Sequence, residues 1–180
     1  MDTLRAPLVV LLLAALASGC IGVSPEQAAA RAVGRGEDDD DGDPEHNPGT
    51  PCLVCHGPDY SPGDEVFSLA GTVFLRSSDA DRNGLAGVNV HVRDATGREM
   101  VVETNRAGNF MFEEGGRGDR GRGRYQASPP PEFPLEVWIE SGGTEQHMRG
   151  LIRREGSCAA CHSGAPSATS VGRIFLMDAP

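Results

Sequence analysis

The sequence predicts an all-β domain, a sandwich of seven short strands that follows a disordered N-terminal tether. From residue 66 onward, short apolar runs rich in Val and Phe are separated by turn residues, and no segment is long enough to show a helical period. The length of 180 residues leaves room for one sandwich core of about 100 residues plus tails. Turns are predicted at 81–84, 94–97, 106–108 and 141–144. The strands are predicted at 66–76, 87–94, 98–104, 109–113, 134–141, 145–152 and 172–177.

The N-terminal part of the chain is predicted to contribute nothing to this core. Residues 1–19 have the layout of an export signal, with an apolar stretch at 8–17 and small residues before Cys20. The apolar stretch is too short for a membrane-spanning helix. A disordered acidic tether is predicted at 20–51, because Ala, Gly, Pro and acidic residues dominate there. Fully extended, such a tether would reach about 100 Å at ~3.3 Å per residue.

The position of Cys20 at the cleavage point resembles the signals of bacterial lipoproteins. The resemblance implies that Cys20 carries a lipid, becomes the mature N-terminus and anchors the exported chain to a membrane. The next residue is Ile21 rather than the aspartate associated with inner-membrane retention, so an outer-membrane lipoprotein on the periplasmic or cell-surface face is expected. The alternative is an ordinary secretory signal that leaves Cys20 as an unpaired thiol.

The charge pattern argues against a nucleic-acid partner. The net charge is −10, all sixteen basic residues are arginine, and no basic segment adjoins a run of aromatic residues. An acidic exported protein is instead expected to meet other proteins.

Two copies of one pattern account for four of the five cysteines: Cys52-Leu53-Val54-Cys55-His56 and Cys158-Ala159-Ala160-Cys161-His162. In such a pattern two thiols add to the two vinyl groups of one porphyrin, and the adjacent imidazole binds the iron from the same face. The chain resembles c-type cytochromes in these two pentapeptides and nowhere else. The resemblance implies two covalent haems c, held by the four cysteines, with His56 and His162 as the proximal iron ligands.

Other uses of the cysteines are open at this point. The two Cys-x-x-Cys pairs could form one Cys₄ zinc site or disulfides, but neither explains a histidine directly after both pairs. A thioredoxin-like dithiol would need a helix N-terminus beside a βαβ pattern, which the surroundings do not show.

The distal iron ligands have to come from the remaining His and Met residues. Valines alternate with polar residues around His91, which places this histidine on the outer face of its strand, where the alternative is a solvated surface residue. A two-residue loop at 142–143 would pair Trp138 with His147 on the outer face and direct Met148 into the core. The predicted distal ligands are His147 and His91, with His46 and Met148 as reserves. Bis-histidine ligation would give low-spin haems of lower potential than His/Met ligation.

Three short patterns inside the β segment occur in a characteristic order. They are a Gly-Thr-Val strand at 71–73, a Leu-Ala-Gly-Val turn at 85–88 and a Gly-Asn-Phe hairpin exit at 108–110. Over residues 66–113 the chain resembles the carboxypeptidase-regulatory-like family of transthyretin-type sandwiches. The resemblance implies a transthyretin-like or immunoglobulin-like scaffold and no particular chemistry. The expected organisation is a first haem-attachment segment at 52–65 and a sandwich at 66–180 with a second haem loop at 156–166.

The expected function is electron transfer between periplasmic or cell-surface redox proteins, without catalysis on a substrate. The pair Glu113-Glu114 is expected to be solvated, and the cysteines are already committed. The Gly- and Arg-rich segment 115–124 is expected to be a solvated loop whose arginines offset haem propionates or meet an acidic partner. The alternatives are a surface-binding or structural lipoprotein with haems as staples, and a haem sensor or enzyme with an open axial position.

Overall fold

The computed structural model describes residues 45–58, 65–114 and 123–177. The predicted signal peptide, Cys20 and the tether up to residue 44 lie outside the described residues. One short α-helix, α1 (Leu53–His56), two 3₁₀ turns (Asp81–Asn83 and Cys158–Ala160) and eight strands are present in the described part of the chain. The strands are β1 (Phe67–Phe74), β2 (Asn89–Arg93), β3 (Glu99–Glu103), β4 (Asn109–Glu114), β5 (Arg124–Ala127), β6 (Glu136–Ser141), β7 (Thr144–His147) and β8 (Ile174–Phe175).

The strands form two four-stranded sheets, which confirms the prediction of an all-β fold. The first sheet has the order β5-β4-β1-β8 and the second the order β3-β2-β6-β7. Apolar side chains of both sheets meet in one buried cluster that includes Leu69, Phe112, Val90 and Ile139. The two sheets therefore pack face to face with the core between them. Nowhere in the described ranges is a helix both long and apolar enough to cross a membrane.

The hairpin of β6 and β7 has the register that its sequence predicts. Ser141 pairs with Thr144 and Trp138 with His147. Gly142 and Gly143 form the loop with φ of 58° and 82°, which is the left-handed backbone that a tight two-residue hairpin requires. Trp138 and His147 consequently lie side by side on the outer face.

Strand β7 is shorter than predicted, and this changes the position of Met148. The strand was expected at 145–152 but ends at His147. Beyond it, Met148 N donates to Val137 O at 3.0 Å and Ile152 forms an isolated bridge with Leu135. Met148 is therefore 40% exposed and does not enter the core, contrary to the prediction.

Strand β5 lies partly inside a segment that was expected to be a solvated loop. Arg124 begins the strand, which pairs parallel to β4, and its side chain is only 9% exposed. The sequence signal is weak because glycine and arginine surround a strand of only four residues. The prediction of seven strands therefore missed one.

Strand β1 is buried along its whole length, on both faces. Leu69 and Val73 face the second sheet, whereas Phe67 and Ala70 belong to a separate buried cluster on the outer face. The outer face is covered by helix α1. The segment 156–160 packs along the edge of the strand opposite to the one that pairs with β4. A central strand enclosed in this way is the structural base of both Cys-x-x-Cys-His motifs.

The close packing around Gly71 gives a first prediction. A Cβ atom at this position would lie 2.7 Å from Cys158 Cβ and 3.1 Å from Phe110 Cζ. We expect Gly71→Ala to reduce the free energy of unfolding by about 1–3 kcal/mol, because the overpacked core must shift. Gly150→Ala is the matched control, since a Cβ there would meet nothing within 4 Å. Denaturant titration of both variants measures the effect, and an equal stability of the two would contradict it.

Candidate functional site

The two Cys-x-x-Cys-His motifs have the same local backbone. His56 N donates to Cys52 O at 2.9 Å, and His162 N donates to Cys158 O at 2.8 Å. In each motif the amide of the second cysteine also donates to the carbonyl of the first, at 3.1 Å. Each motif is thus a single helical turn, which brings residues three and four apart to the same side. The backbone of each motif therefore brings the second cysteine and the histidine to the same side of the turn as the first cysteine.

Both motif histidines are held through the same ring nitrogen. His56 Nδ1 lies 3.1 Å from the carbonyl oxygen of Glu65, and His162 Nδ1 lies 2.9 Å from that of Gly172. A carbonyl oxygen only accepts, so each Nδ1 carries the proton and Nε2 keeps its lone pair. Metal-binding histidines are typically oriented by such a bond. Burial also lowers the pKa of His56 below its usual value, which favours the neutral ring.

The first motif packs on the outer face of the first sheet. Cys52 and Leu53 contact the buried cluster of Phe67, Ala70 and Met111. The ring of His56 stacks on Phe67 with a centroid distance of 4.5 Å and an interplanar angle of 22°. The apolar contacts hold the helical turn against β1 and β4.

Residues 45–51, assigned to the tether in the sequence, also lie against this face. Asn109 Nδ2 donates to His46 O at 3.0 Å, and Gly49 N donates to Thr72 Oγ1 at 2.8 Å. These contacts are polar, so the hydrophobic pattern of the sequence contains no signal for them. They place the ring of His46 with its centroid 5.8 Å from that of His56.

The second motif lies at the edge of β1. Ala70 N donates to Gly156 O at 3.0 Å, and Ser157 forms a parallel bridge with Ala70. This contact directs Cys158 into the main core, where it is 8% exposed, while Cys161 is exposed. The contact depends on Gly156, because a Cβ there would lie 1.9 Å from Ser68 O.

Ser170 organises the loop that follows the second motif. Its Oγ lies 2.6 Å from Ser163 O and 3.1 Å from Cys161 O, and it accepts hydrogen bonds from the amides of Ser163 and Gly172 at 3.0 Å. Gly172 is also the residue whose carbonyl receives His162 Nδ1. The buried hydroxyl thus fixes the backbone that orients the second histidine, a role that the sequence analysis missed because loop serines carry no distinctive pattern.

The two motifs are neighbours across β1. Cys52 packs against the cluster that contains Ala70, and Ala70 also forms a bridge with Ser157. A groove of about 370 Å³ is lined by residues of the first motif segment and of the segment before the second motif, among them Leu53, Gly57, Arg154 and Gly156, together with Phe67 and Phe133. Its volume lies within the ~300–1,000 Å³ of typical ligand pockets.

The thiols next to β1 are poorly ionised. Burial raises the pKa of Cys52 to about 11 and that of Cys158 to about 12, and the nearby Cys52 thiol adds to the rise at Cys158. Neither they nor Cys161 form a disulfide in the described structure. Across the described residues, no group of three or more His, Cys, Asp or Glu side chains is arranged to hold a metal ion. The Cys₄ zinc arrangement is not assembled among them.

A buried charged cluster adjoins the first motif. Glu113, expected to be solvated, is 2% exposed, because it pairs with Phe67 on the covered face of the first sheet. Arg124 Nη1 donates to Glu65 Oε1, and Glu65 is the residue whose carbonyl receives His56 Nδ1. Burial, with a contribution from the Glu65 charge, raises the pKa of Glu113, while Arg124 opposes the rise. The periodicity of β4 could have indicated this burial, because Met111 shares its face.

The predicted distal ligands His91 and His147 lie elsewhere, on the outer face of the second sheet. Their rings stack on Trp138 at centroid distances of 4.9 Å and 5.6 Å, with interplanar angles of 8° and 9°. Val90 and Val92, which flank His91, face the core, so His91 points away from the first sheet. Met148 is exposed beside the end of β7. Of the four candidates, the structure brings His46 next to a motif histidine.

Comparisons with known proteins add no relative: no family model, no curated protein and no solved structure matches this chain.

The burial of Glu113 gives a second prediction. Its pKa is raised in the folded state, so its contribution to stability is present at acid pH and is lost as the pH rises through that raised value. We expect Glu113→Gln to be stabilised relative to the parent at pH 7, with the difference shrinking towards pH 4. Glu114→Gln, on the less buried neighbouring residue, is the control. The measurement is the free energy of unfolding of both proteins from pH 4 to pH 7. A difference between parent and Glu113→Gln that stays constant over this range would contradict the prediction.

The thiol environments give a third prediction, for chain produced without haem. At pH 8 we expect iodoacetamide to modify Cys161 at least roughly tenfold faster than Cys52 or Cys158, because Cys161 is exposed, whereas Cys52 is half-buried, Cys158 is buried, and the pKa of both thiols is raised. Peptide mass spectrometry after timed labelling measures the rates. Labelling in denaturant should remove the difference, and equal rates in the native chain would refute the assigned burial.

Proposed function

We propose that this chain is a two-haem c-type electron-transfer protein, exported and lipid-anchored through Cys20. The observation that carries the proposal is the repetition of one geometry: two separate Cys-x-x-Cys-His turns, each with the histidine Nδ1 bonded to a backbone carbonyl. A single such turn occurs for many reasons, whereas the repeated set matches what covalent haem attachment needs.

The residues present fit one haem at each motif. Cys52 and Cys55 would hold the first through thioethers with His56 Nε2 as the iron ligand, and the corresponding residues of the second motif would hold the other. Haem supplies reversible one-electron chemistry that no amino-acid side chain provides at ordinary potentials. Attachment at the second motif requires the Cys158 side chain to turn out of the core. Cys161, three residues later in the same motif, is already exposed at the surface.

The neighbouring positions of the motifs support an electron-transfer role. Both pack on β1, and the groove is lined by residues of the first motif segment and of the segment before the second motif. Two haems held in this way would be adjacent, so an electron received at one could pass to the other within the same domain. Strand β1 between the motifs is buried along its whole length, which would help to hold the two haems at a fixed separation.

The net charge supports a proposal for the kind of redox partner, and the sequence pattern supports one for the type of β-sandwich. A net charge of −10 favours redox proteins with a basic docking surface and a salt-sensitive association rate. The two-sheet architecture is compatible with the carboxypeptidase-regulatory-like, transthyretin-type sandwich suggested by residues 66–113. The lipid on Cys20 would keep the domain at the outer membrane, with the acidic segment as spacer.

Haem content tests the proposal directly. Protein made with the cytochrome c maturation machinery should give two haems per chain by pyridine haemochrome assay and by intact mass, and both should be reduced reversibly. Replacing Cys52 and Cys55 with alanine, or Cys158 and Cys161 with alanine, should leave one haem each. Cys20→Ala is the matched control, expected to retain both haems while losing membrane attachment. A chain without haem would overturn the proposal.

A further inference from the structure

We infer that His46 supplies the second axial imidazole to the iron at the first motif. The inference rests on the proposed haem at Cys52 and Cys55. The ring centroids of His46 and His56 are 5.8 Å apart, and the ring planes are inclined at 45°. Among the described residues, this is the one pair in which a second histidine ring lies beside a motif histidine.

The spacing of the two rings matches that of two ligands on one metal ion. A metal–imidazole bond of about 2 Å on each side separates the two nitrogens by about 4 Å and the ring centroids by about 6 Å. Since Nδ1 of His56 is bonded to Glu65 O, its Nε2 is the nitrogen left for iron.

The local sequence explains why His46 returns to the motif. Asn47 has a φ of 47°, in the left-handed region that asparagine tolerates, and Thr50 Oγ1 donates to Asn47 O at 2.7 Å. This turn reverses the chain between His46 and Cys52. The turn is fixed on the sheet through Gly49 N and Thr72 Oγ1.

The backbone of His46 is itself anchored to the first sheet. Asn109 Nδ2 donates to its carbonyl, and Asn109 is buried and accepts a further bond from Thr72 Oγ1 at 2.7 Å. One residue earlier, Glu45 pairs with Arg106 at 2.7 Å. A ligand whose main chain is fixed in advance loses little entropy on binding, which favours it over a ligand on a free tether.

The two leading sequence-based candidates, His91 and His147, cannot serve this iron. His91 and His147 lie on the outer face of the second sheet, whereas His56 lies on the outer face of the first. Packed sheets are about 10 Å apart, so the whole core separates these rings from the first motif. His91 and His147 therefore remain predicted distal ligands for the second haem only.

The holo protein with His46→Ala tests the inference. Two haems per chain should remain, half of the haem should become high-spin, and that half should bind carbon monoxide when reduced. Added imidazole should restore the low-spin spectrum. His147→Ala, the control, should leave the first haem unchanged when measured in the variant lacking Cys158 and Cys161. An unaltered low-spin spectrum of His46→Ala with both haems present would overturn the inference.

A second variant separates ligand loss from misfolding. His46→Met retains a possible iron ligand and should keep the first haem low-spin while raising its reduction potential, because thioether replaces imidazole. A potential identical to that of the parent would overturn the inference even if His46→Ala proved unstable. Absence of haem from the parent protein would instead refute the proposed function, so the two failures are distinguishable.

Discussion

The packing of both Cys-x-x-Cys-His turns on strand β1 is the constraint on which the rest of the structure depends. A strand in the middle of a sandwich sheet normally has one face available to solvent or to a covering element. Here the outer face of β1 receives the first motif, and its edge receives the second through the contact between Ala70 and Gly156. The absence of a side chain at Gly71 makes room for Cys158 on the inner face. Two segments about a hundred residues apart in sequence are thereby brought to one strand.

Local features of the site followed from sequence more readily than its assembly. The pairing of Trp138 with His147 depends on short-range hairpin chemistry, so it could be predicted, whereas no helical turn was predicted at either motif. The proximity of the motifs depends on the apolar packing of the first motif on β1 and on the backbone hydrogen bond between Ala70 and Gly156 beside the second, and such a backbone contact leaves no periodic signal. The same limitation explains residues 45–51, which are held by Asn109 and Thr72 rather than by apolar side chains.

The charged residues around the first motif illustrate a second limit of sequence reasoning. Glu113 and Arg124 resemble surface residues by type, and adjacent glycines and acids strengthened that interpretation. In the structure they lie on the covered face of the first sheet, where Glu65 links Arg124 to His56, because its side chain pairs with Arg124 and its carbonyl receives His56 Nδ1. Within the described residues, the buried atoms Glu113 Oε2 and Arg124 Nε have no hydrogen-bond partner. This face therefore carries unsatisfied polar atoms near the proposed first haem. Such groups stabilise or oppose charge at a redox centre according to their ionisation.

We propose that the two motifs hold their haems side by side on β1. A crystal structure of the holo protein, with both irons located by anomalous diffraction at the iron edge, tests it most directly. The account predicts two irons flanking β1, one over the outer face beside Phe67 and the other beyond the strand edge near Ser157, each bonded to the histidine of its own motif. Irons on opposite sides of the domain, or a single metal shared by both motifs, would contradict it.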